Sequence, residues 1–291
     1  MSRTRRFASI FLTAAILVTP LAVHAEPAIW VVKGPHATVY LFGTIHALPK
    51  DRSWHSAKID AAIKESGTLW LEIPNVDDPA SMQPLVMQLG MDAAHPLSSK
   101  LTPDQIAKID KAAKSAGLPG EAMLEPFKPW LAALTLSIAP IMQAGYDPTS
   151  GVETELKPEF TQANKPVKGL ETAEQQMHYF ADMPDKAQVD FLNSEIDDFD
   201  TSVDKFKKML DAWYAGNTAA LDEFNNAEFR DKYPDLFQTL VVKRNQTFST
   251  QIQGLLKGDG VSFVAIGAGH LVGNEGVPAM LQKQGFKVTR E

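Results

Sequence analysis

Twice in this chain, near its two ends, a strand-like apolar stretch runs straight into Gly-x-x-His: Tyr40-Leu-Phe-Gly-Thr-Ile-His46 and Val264-Ala-Ile-Gly-Ala-Gly-His270. Short β-branched and aromatic runs bounded by glycine read as buried strands. A buried strand must pair its backbone groups, so segments far apart in sequence are expected to share one sheet. Further strands are predicted over Ala28 to Lys33, across the Gly34-Pro35 turn from Ala37 to Phe42, and over Thr68 to Ile73, Lys165 to Leu170 and Phe286 to Thr289. Between them the pattern is helical. One helix is predicted from about Ser53 to Glu65, stopped by Gly67, and another opens at Thr102-Pro103 with Ile106 and Ile109 on one face and ends near Gly117. Phe127 to Met142 is apolar nearly all round; Lys128, Pro140 and Gln143 interrupt or bound it, which favours a buried core helix over a membrane span. Asp185 to Leu256 reads as mostly helix with breaks near Gly216 and Pro234, and Pro278 and Gly285 bracket a last short helix. The expectation is an α/β protein with a central, mostly parallel sheet and flanking helices. A single domain over 26–291 would carry a helical insertion at about 85–145 and a second helical stretch at about 185–256.

The first 25 residues stand apart. Arg3, Arg5 and Arg6 precede the short apolar run Phe7 to Val18, and Val23-His24-Ala25 fits a small-x-small cleavage site. That is a secretory signal pattern. The alternative, an uncleaved anchor, needs about 20 apolar residues, more than this run has. The mature protein is therefore expected to be periplasmic or secreted, with no membrane association after cleavage. The chain has no cysteine, so it has no disulfide and no thiol nucleophile, and any metal site must use nitrogen and oxygen ligands. Its formal charge is −7, and it has no basic run. Nucleic acid and anionic membrane surfaces are poor partners for such a chain. Nothing in the sequence specifies an oligomeric state.

The residues able to carry chemistry fall at predicted strand ends. His46 lies just past one strand, Glu72 at the end of another, Glu171 just past a third and His270 just past a fourth. In parallel α/β sheets, ligands bind at the carboxyl ends of strands. If these strands run parallel, two imidazoles and two carboxylates converge at one rim. Gly43 and Gly267 are expected to take positive φ, turning each histidine back across the sheet end. His46, Glu72 and His270 would then suit a divalent metal, manganese, cobalt or zinc. Such an ion lowers the pKa of bound water toward about 7, and a carboxylate outside the ligand set could act as general base. Each residue also has a structural reading. The histidines could be satisfied in place, Glu72 could be a strand-end surface charge, and Glu171 could cap the following helix. The apolar neighbours Leu69, Trp70, Leu71 and Ile73 argue that Glu72 is buried. His36, His55, His95 and His178 sit in turns or on helices and read as surface or packing residues. HExxH, GxSxG and GxxxxGK[ST] are all absent. Gly267-Ala-Gly-His-Leu-Val-Gly273 has the look of a dinucleotide loop, but no second mononucleotide half follows it.

Several short motifs, taken in order, resemble one family. Leu41-Phe-Gly-Thr-Ile-His46, Leu71-Glu72, Gly151-Val-Glu153, Gly169-Leu-Glu-Thr172, Arg244-Asn245 and Gly267-Ala-Gly-His-Leu271 are similar to the pattern of the TraB/GumN family, which includes the Tiki proteins. The resemblance covers essentially all of the mature chain. It implies a fold related to the erythromycin-esterase and ChaN-like group. The Tiki branch implies a metal-dependent peptidase using two Gly-x-x-His motifs and acidic residues. Carried over by motif, His46 and His270 would be site histidines and Glu72 and Glu171 site acids. Arg244 and Asn245 would lie on a helix facing the site. Arg244 would bind a substrate carboxylate or a developing oxyanion, or would form a structural ion pair with Glu153 or Glu171. Glu153 would be a substrate-side residue. It stands where bacterial relatives commonly have Asp, and Gln246-Thr247 separate Arg244-Asn245 from the aromatic Phe248. The expected function is an exported metal-dependent hydrolase acting on a peptide or other small substrate, with an ester or sugar as the variant substrate. The alternative is a non-catalytic peptide- or glycan-binding protein using the same pocket.

Overall fold

The chain enters its sheet through a hairpin. β1 (Ile29–Lys33) pairs antiparallel with β2 (Ala37–Thr44), Ile29 opposite Phe42, across a turn in which Gly34 N–H donates to the Ala37 carbonyl at 2.8 Å. The computed structural model describes residues 26–75, 79–197 and 199–291, so the signal-like segment over 1–25 lies outside the described residues. α1 (Ala57–Glu65) follows, with the Ser56 hydroxyl accepting from Ile59 N–H. Gly67 does not stop this helix as expected. The chain leaves at Ser66, whose extended φ/ψ of −72° and 132° breaks the helix while its N–H and hydroxyl both bond the Ala62 carbonyl. β3 (Thr68–Leu71) then runs into the sheet.

α2 (Pro79–Gly90), α3 (Pro103–Ser115), α4 (Pro129–Gln143) and α5 (Val152–Gln162) separate β3 from β4 (Val167–Gly169). α6 (Ala173–Ala181), α7 (Asp185–Asp197) and α8 (Ser202–Tyr214) follow, then α9 (Thr218–Asp222), α10 (Glu228–Lys232), α11 (Pro234–Phe237) and α12 (Lys243–Leu256). β5 (Gly260–Gly267), α13 (Val277–Lys283) and β6 (Val288–Arg290) complete the chain. The six strands lie in the order β4-β3-β5-β2-β1-β6. The four from β4 to β2 are parallel, and β1 and β6 add an antiparallel edge. This is the mixed, mostly parallel α/β sheet expected from the sequence. Its parallel strands are joined by helical crossovers, as parallel pairing requires.

Two apolar cores result. The sheet core gathers Phe42, Phe263, Phe160 of α5 and Trp213 of α8 with the strand aliphatics, and ring centroids 5.8–6.4 Å apart tie Phe42 to Phe263, Phe263 to Phe160 and Phe42 to Trp213. The second core lies among α3, α4 and α7, around Ile109, Trp130, Leu136, Phe191 and Leu192. α3 opens at Thr102-Pro103 as expected, with a reciprocal cap between Thr102 and Gln105. α4 buries one face only. Trp130, Ala132, Ala133 and Leu136 face the core, whereas Ile138 and Met142 remain 51% and 52% exposed. No helix among the described residues is long and apolar enough to cross a membrane.

Candidate functional site

The register brings the carboxyl ends of the parallel strands to one rim. Leu71 pairs with Gly169 and with Ala265, and Thr44 pairs with Gly267. Glu72 directly follows β3, Glu171 lies two residues past β4, His46 two past β2 and His270 three past β5. The rim is bonded across its width: Glu171 N–H donates to the Glu72 carbonyl at 2.8 Å, and Gly267 N–H donates to Glu72 Oε1 at 2.7 Å. The two motif glycines act differently from expectation. Neither takes positive φ. They permit close approach: a Cβ on Gly43 would lie 3.0 Å from Ala268 Cα, and one on Gly267 would lie 3.1 Å from the Glu72 carboxylate.

Arg244 occupies the middle of this rim. It projects from the first turn of α12 and is 7% exposed. Nε donates to Glu171 at 3.0 and 3.3 Å, and Nη2 to Glu171 Oε2 at 2.9 Å, a side-on pair. Nη2 also donates to Glu72 Oε2 at 2.7 Å. Nη1 donates to the Leu240 carbonyl at 3.4 Å and to His270 Nε2 at 3.1 Å. All five guanidinium N–H groups therefore have acceptors. Tyr179 and Phe248 flank the cation, their ring centroids 5.7 and 5.4 Å from Cζ. The structural ion pair expected for Arg244 is made with Glu171 and Glu72, while Glu153 pairs elsewhere. Burial raises the Glu171 carboxyl above its ordinary range against the pull of Arg244. Burial acts on Glu72 in the same sense, but Arg244, His270, His46 and the Gly267 N–H together bring it down to about 2.

The two histidines are anchored alike and charged differently. His270 is 8% exposed. Its Nδ1 lies 2.6 Å from Asn245 Oδ1, and the Asn245 amide donates its own N–H to the Glu275 carbonyl at 2.7 Å. Asn245 thus presents an oxygen to the ring, which fixes the proton on Nδ1 and leaves Nε2 as an acceptor for Arg244. Burial lowers the imidazole to about 4, so it is neutral at neutral pH. His46 Nδ1 lies 2.8 Å from Glu153 Oε1, and its side chain is 75% exposed. Glu153 raises it to about 9, and water around the exposed imidazole limits what the pair adds to stability. Glu153, placed in the sequence reading on the substrate side, is here the partner of His46. Its own carboxyl is lowered, burial being outweighed by His46.

The whole described sheet and both helical regions fall within one match: the model of the TraB/PrgY/gumN family covers residues 28–290. The chain belongs to the TraB/PrgY/gumN family. Two curated relatives are distant but span the same length. The uncharacterized protein YbaP of Escherichia coli (strain K12) is 23% identical over 260 residues, 88% of this chain and 92% of the relative. The uncharacterized protein YbaP of Shigella flexneri is 23% identical over 247 residues, 84% of this chain and 87% of the relative. No solved structure matches.

In this TraB/PrgY/gumN member, a divalent ion finds suitable donors in an unsuitable arrangement. Both imidazoles have Nδ1 engaged by a side-chain oxygen, the usual support for a ligand that binds through Nε2, and Glu72 Oε1 lies 3.8 Å from His270 Nε2. Yet Arg244 sits on His270 Nε2 and on Glu72 Oε2. Among the described residues, no three His, Asp or Glu side chains converge closely enough to hold a metal ion.

Other contributors to the site were missed in the sequence. Thr172, one residue beyond Glu171, caps α6 through a reciprocal pair with Gln175, so Glu171 is released from capping. Gln176 donates to Glu72 at 3.1 Å, and Tyr179, three positions on along the same helix, lies over Arg244. Both follow by helical spacing once the cap is placed. Asn226 is 2% exposed and donates to the Gly269 carbonyl at 3.0 Å, tethering the turn that carries His270. It lies in a π-helical turn over Glu223–Ala227, and a second π turn over Gln238–Val242 feeds α12 and supplies the Leu240 carbonyl. Phe248 packs edge-on against His270 at 5.4 Å, so the aromatic displaced in sequence still reaches the site, one helical turn after Arg244.

Proposed function

We propose that this protein is an exported, periplasmic or secreted hydrolase, metal-dependent and acting on a peptide bond. The observation that carries the proposal is the convergence of His46, Glu72, Glu171 and His270 at the carboxyl ends of parallel strands, where α/β sheets bind ligands. The donors open to consideration for the ion are His46, His270 and Glu72, two of which Arg244 occupies in this structure; a bound ion would acidify water and polarise a carbonyl. The chain's own residues do the rest. Glu153 and Asn245 hold Nδ1 of the two imidazoles and aim the rings. Gly267 N–H fixes one Glu72 oxygen. Glu171, its carboxyl raised above its ordinary range by burial, is the carboxylate outside the ligand set that would act as general base.

Elemental analysis of the mature protein, purified without chelators and then loaded with manganese, cobalt or zinc, tests this reading. Near-stoichiometric metal in wild type and none in His46→Ala/His270→Ala is the expected result, followed by metal-dependent cleavage in a peptide library. No metal under any loading condition overturns it. The second reading, a non-catalytic peptide- or glycan-binding protein, is favoured by one observation: every Arg244 N–H is satisfied within the protein. It expects ligand binding unaffected by chelators and no turnover.

A further inference from the structure

We propose that the cleft between the start of α4 and the start of α7 is a second binding site, for a small molecule carrying one carboxylate and an N–H donor, of the amino-acid or short-peptide class. It shares no residue with the rim and stands whether or not the rim is catalytic. The cleft has a volume of about 490 Å³ and is walled chiefly by Asp92, His95, Lys100, Lys128, Asp185 and Gln188. That is the size of a small-molecule site, roughly 300–1,000 Å³. Most of its charges already answer one another. Asp92 Oδ1 lies 3.0 Å from His95 Nδ1, and its Oδ2 accepts from Lys100 Nζ at 3.4 Å. Lys100 also approaches Asp185 at 3.7 Å. The Lys128 ammonium is left over, with no ion pair among the described residues.

Lys128 is also the N-cap residue of α4, a helix that no side chain caps and that Pro129 opens. The positive end of a 15-residue helix is therefore left to an outside group beside an unpaired ammonium. Both favour an anion. Asp92 and Asp185 stand in the same cleft and repel a doubly charged phosphate more than a carboxylate. Gln188 supplies the second half of the assignment. It is 3% exposed, and its Nε2 donates to the Met183 carbonyl at 2.8 Å and the Ala181 carbonyl at 3.4 Å. Those two bonds fix the amide so that Oε1 is the end without a partner, just beneath the cleft surface. A buried acceptor lacking a donor is penalised in the free protein, and a ligand N–H that reaches it removes the penalty. Access requires a small opening of the wall at Asp185, whose side chain is 73% exposed and held by Lys100 only at 3.7 Å.

The test titrates glycylglycine into the full mature chain, followed by calorimetry and by 15N NMR of the Trp130 backbone N–H, two residues from Lys128. Wild type should bind saturably and shift that signal. Lys128→Glu should weaken binding at least about tenfold, the scale of one charge-assisted hydrogen bond, while Lys128→Arg retains it. His46→Ala, at the rim, should leave the affinity unchanged. Acetate, which has the carboxylate and no N–H, should bind at least about tenfold more weakly than glycylglycine. Lys128→Gln, which should show the same loss as the charge reversal, decides if Lys128→Glu disturbs the fold. Absence of saturable binding overturns the site, as does binding that ignores Lys128→Glu and Lys128→Gln. Binding lost in His46→Ala places the dipeptide at the rim and equally refutes the proposal. Acetate binding as tightly as glycylglycine overturns the N–H assignment and reduces the cleft to an anion site.

Discussion

Arg244→Met is the perturbation that most directly tests the buried cluster. It removes the cation shared by Glu171, 5% exposed, and Glu72. Taking one partner from a buried ion pair typically costs about 3–5 kcal/mol, because the remaining charge is buried without compensation. Glu171 loses three contacts between 2.9 and 3.3 Å. Glu72 keeps its bonds from Gly267 and Gln176, which places most of the loss on Glu171. At roughly 2–4 °C per kcal/mol for a chain of this size, the melting temperature should fall by about 6–20 °C. Adding Glu171→Leu removes the orphaned carboxylate. The double variant should regain much of the loss, with a coupling of at least about 2 kcal/mol between the two sites. Urea unfolding followed by circular dichroism, on the mature chain at neutral pH and without added metal, measures all three variants. Single losses under about 1 kcal/mol, or strictly additive losses, would refute the cluster as a coupled buried unit.

Glu153→Gln should lower the His46 pKa, read by histidine NMR, from about 9 toward 6.5; an unchanged titration would remove Glu153 as the cause. His270 is held near 4 in the folded protein against 6.5 in the unfolded chain. As pH falls the unfolded chain takes up this proton first, so the stability gained from His270 is complete above pH 6.5 and is lost between pH 6.5 and 4. The loss is on the order of 3 kcal/mol, and His270→Gln should flatten the urea-derived stability curve over that interval; an undiminished slope would contradict the assignment. Gly151→Ala should destabilise by about 1–3 kcal/mol, since its Cβ would meet the His46 carbonyl oxygen at 2.3 Å. By pushing α5 away it should also lower the His46 pKa in the same NMR titration, whereas a wild-type titration would show that the close approach does not set the pair.

What was legible in the sequence and what was not divide along physical lines. His46, Glu72, Glu171 and His270 could be placed because a strand's carboxyl end is a one-dimensional feature, and the parallel order of β4, β3, β5 and β2 turns those four ends into one rim. The partner of a charged group is not one-dimensional. The sequence leaves Arg244 open to a substrate or to a carboxylate partner, and only the direction of α12 decides that it meets Glu171, Glu72 and His270 together. The partner of Glu153 is likewise fixed only by the fold, because α5 starts beside the turn carrying His46. Gly43 and Gly267 show a further limit, since a sequence does not distinguish a glycine needed for positive φ from one needed for close approach. The π turns ahead of α10 and α12 were invisible for a related reason. Hydrophobic spacing is read at 3.6 residues per turn, and a wider turn rotates every later side chain relative to that reading.

β5 carries a consequence for how the protein is made. It spans Gly260–Gly267, near the end of the chain, yet it lies between β3 and β2. Until it emerges from the ribosome, β2 and β3 have no common neighbour, and each offers an unpaired edge to other chains. The helices of the second core, drawn largely from residues 97–199, can collapse earlier through local contacts. The sheet cannot, so the rim bearing His46 and Glu72 is assembled only when the last segment of the polypeptide is inserted. Chains truncated before Gly260 should accumulate as helical, aggregation-prone species without the rim.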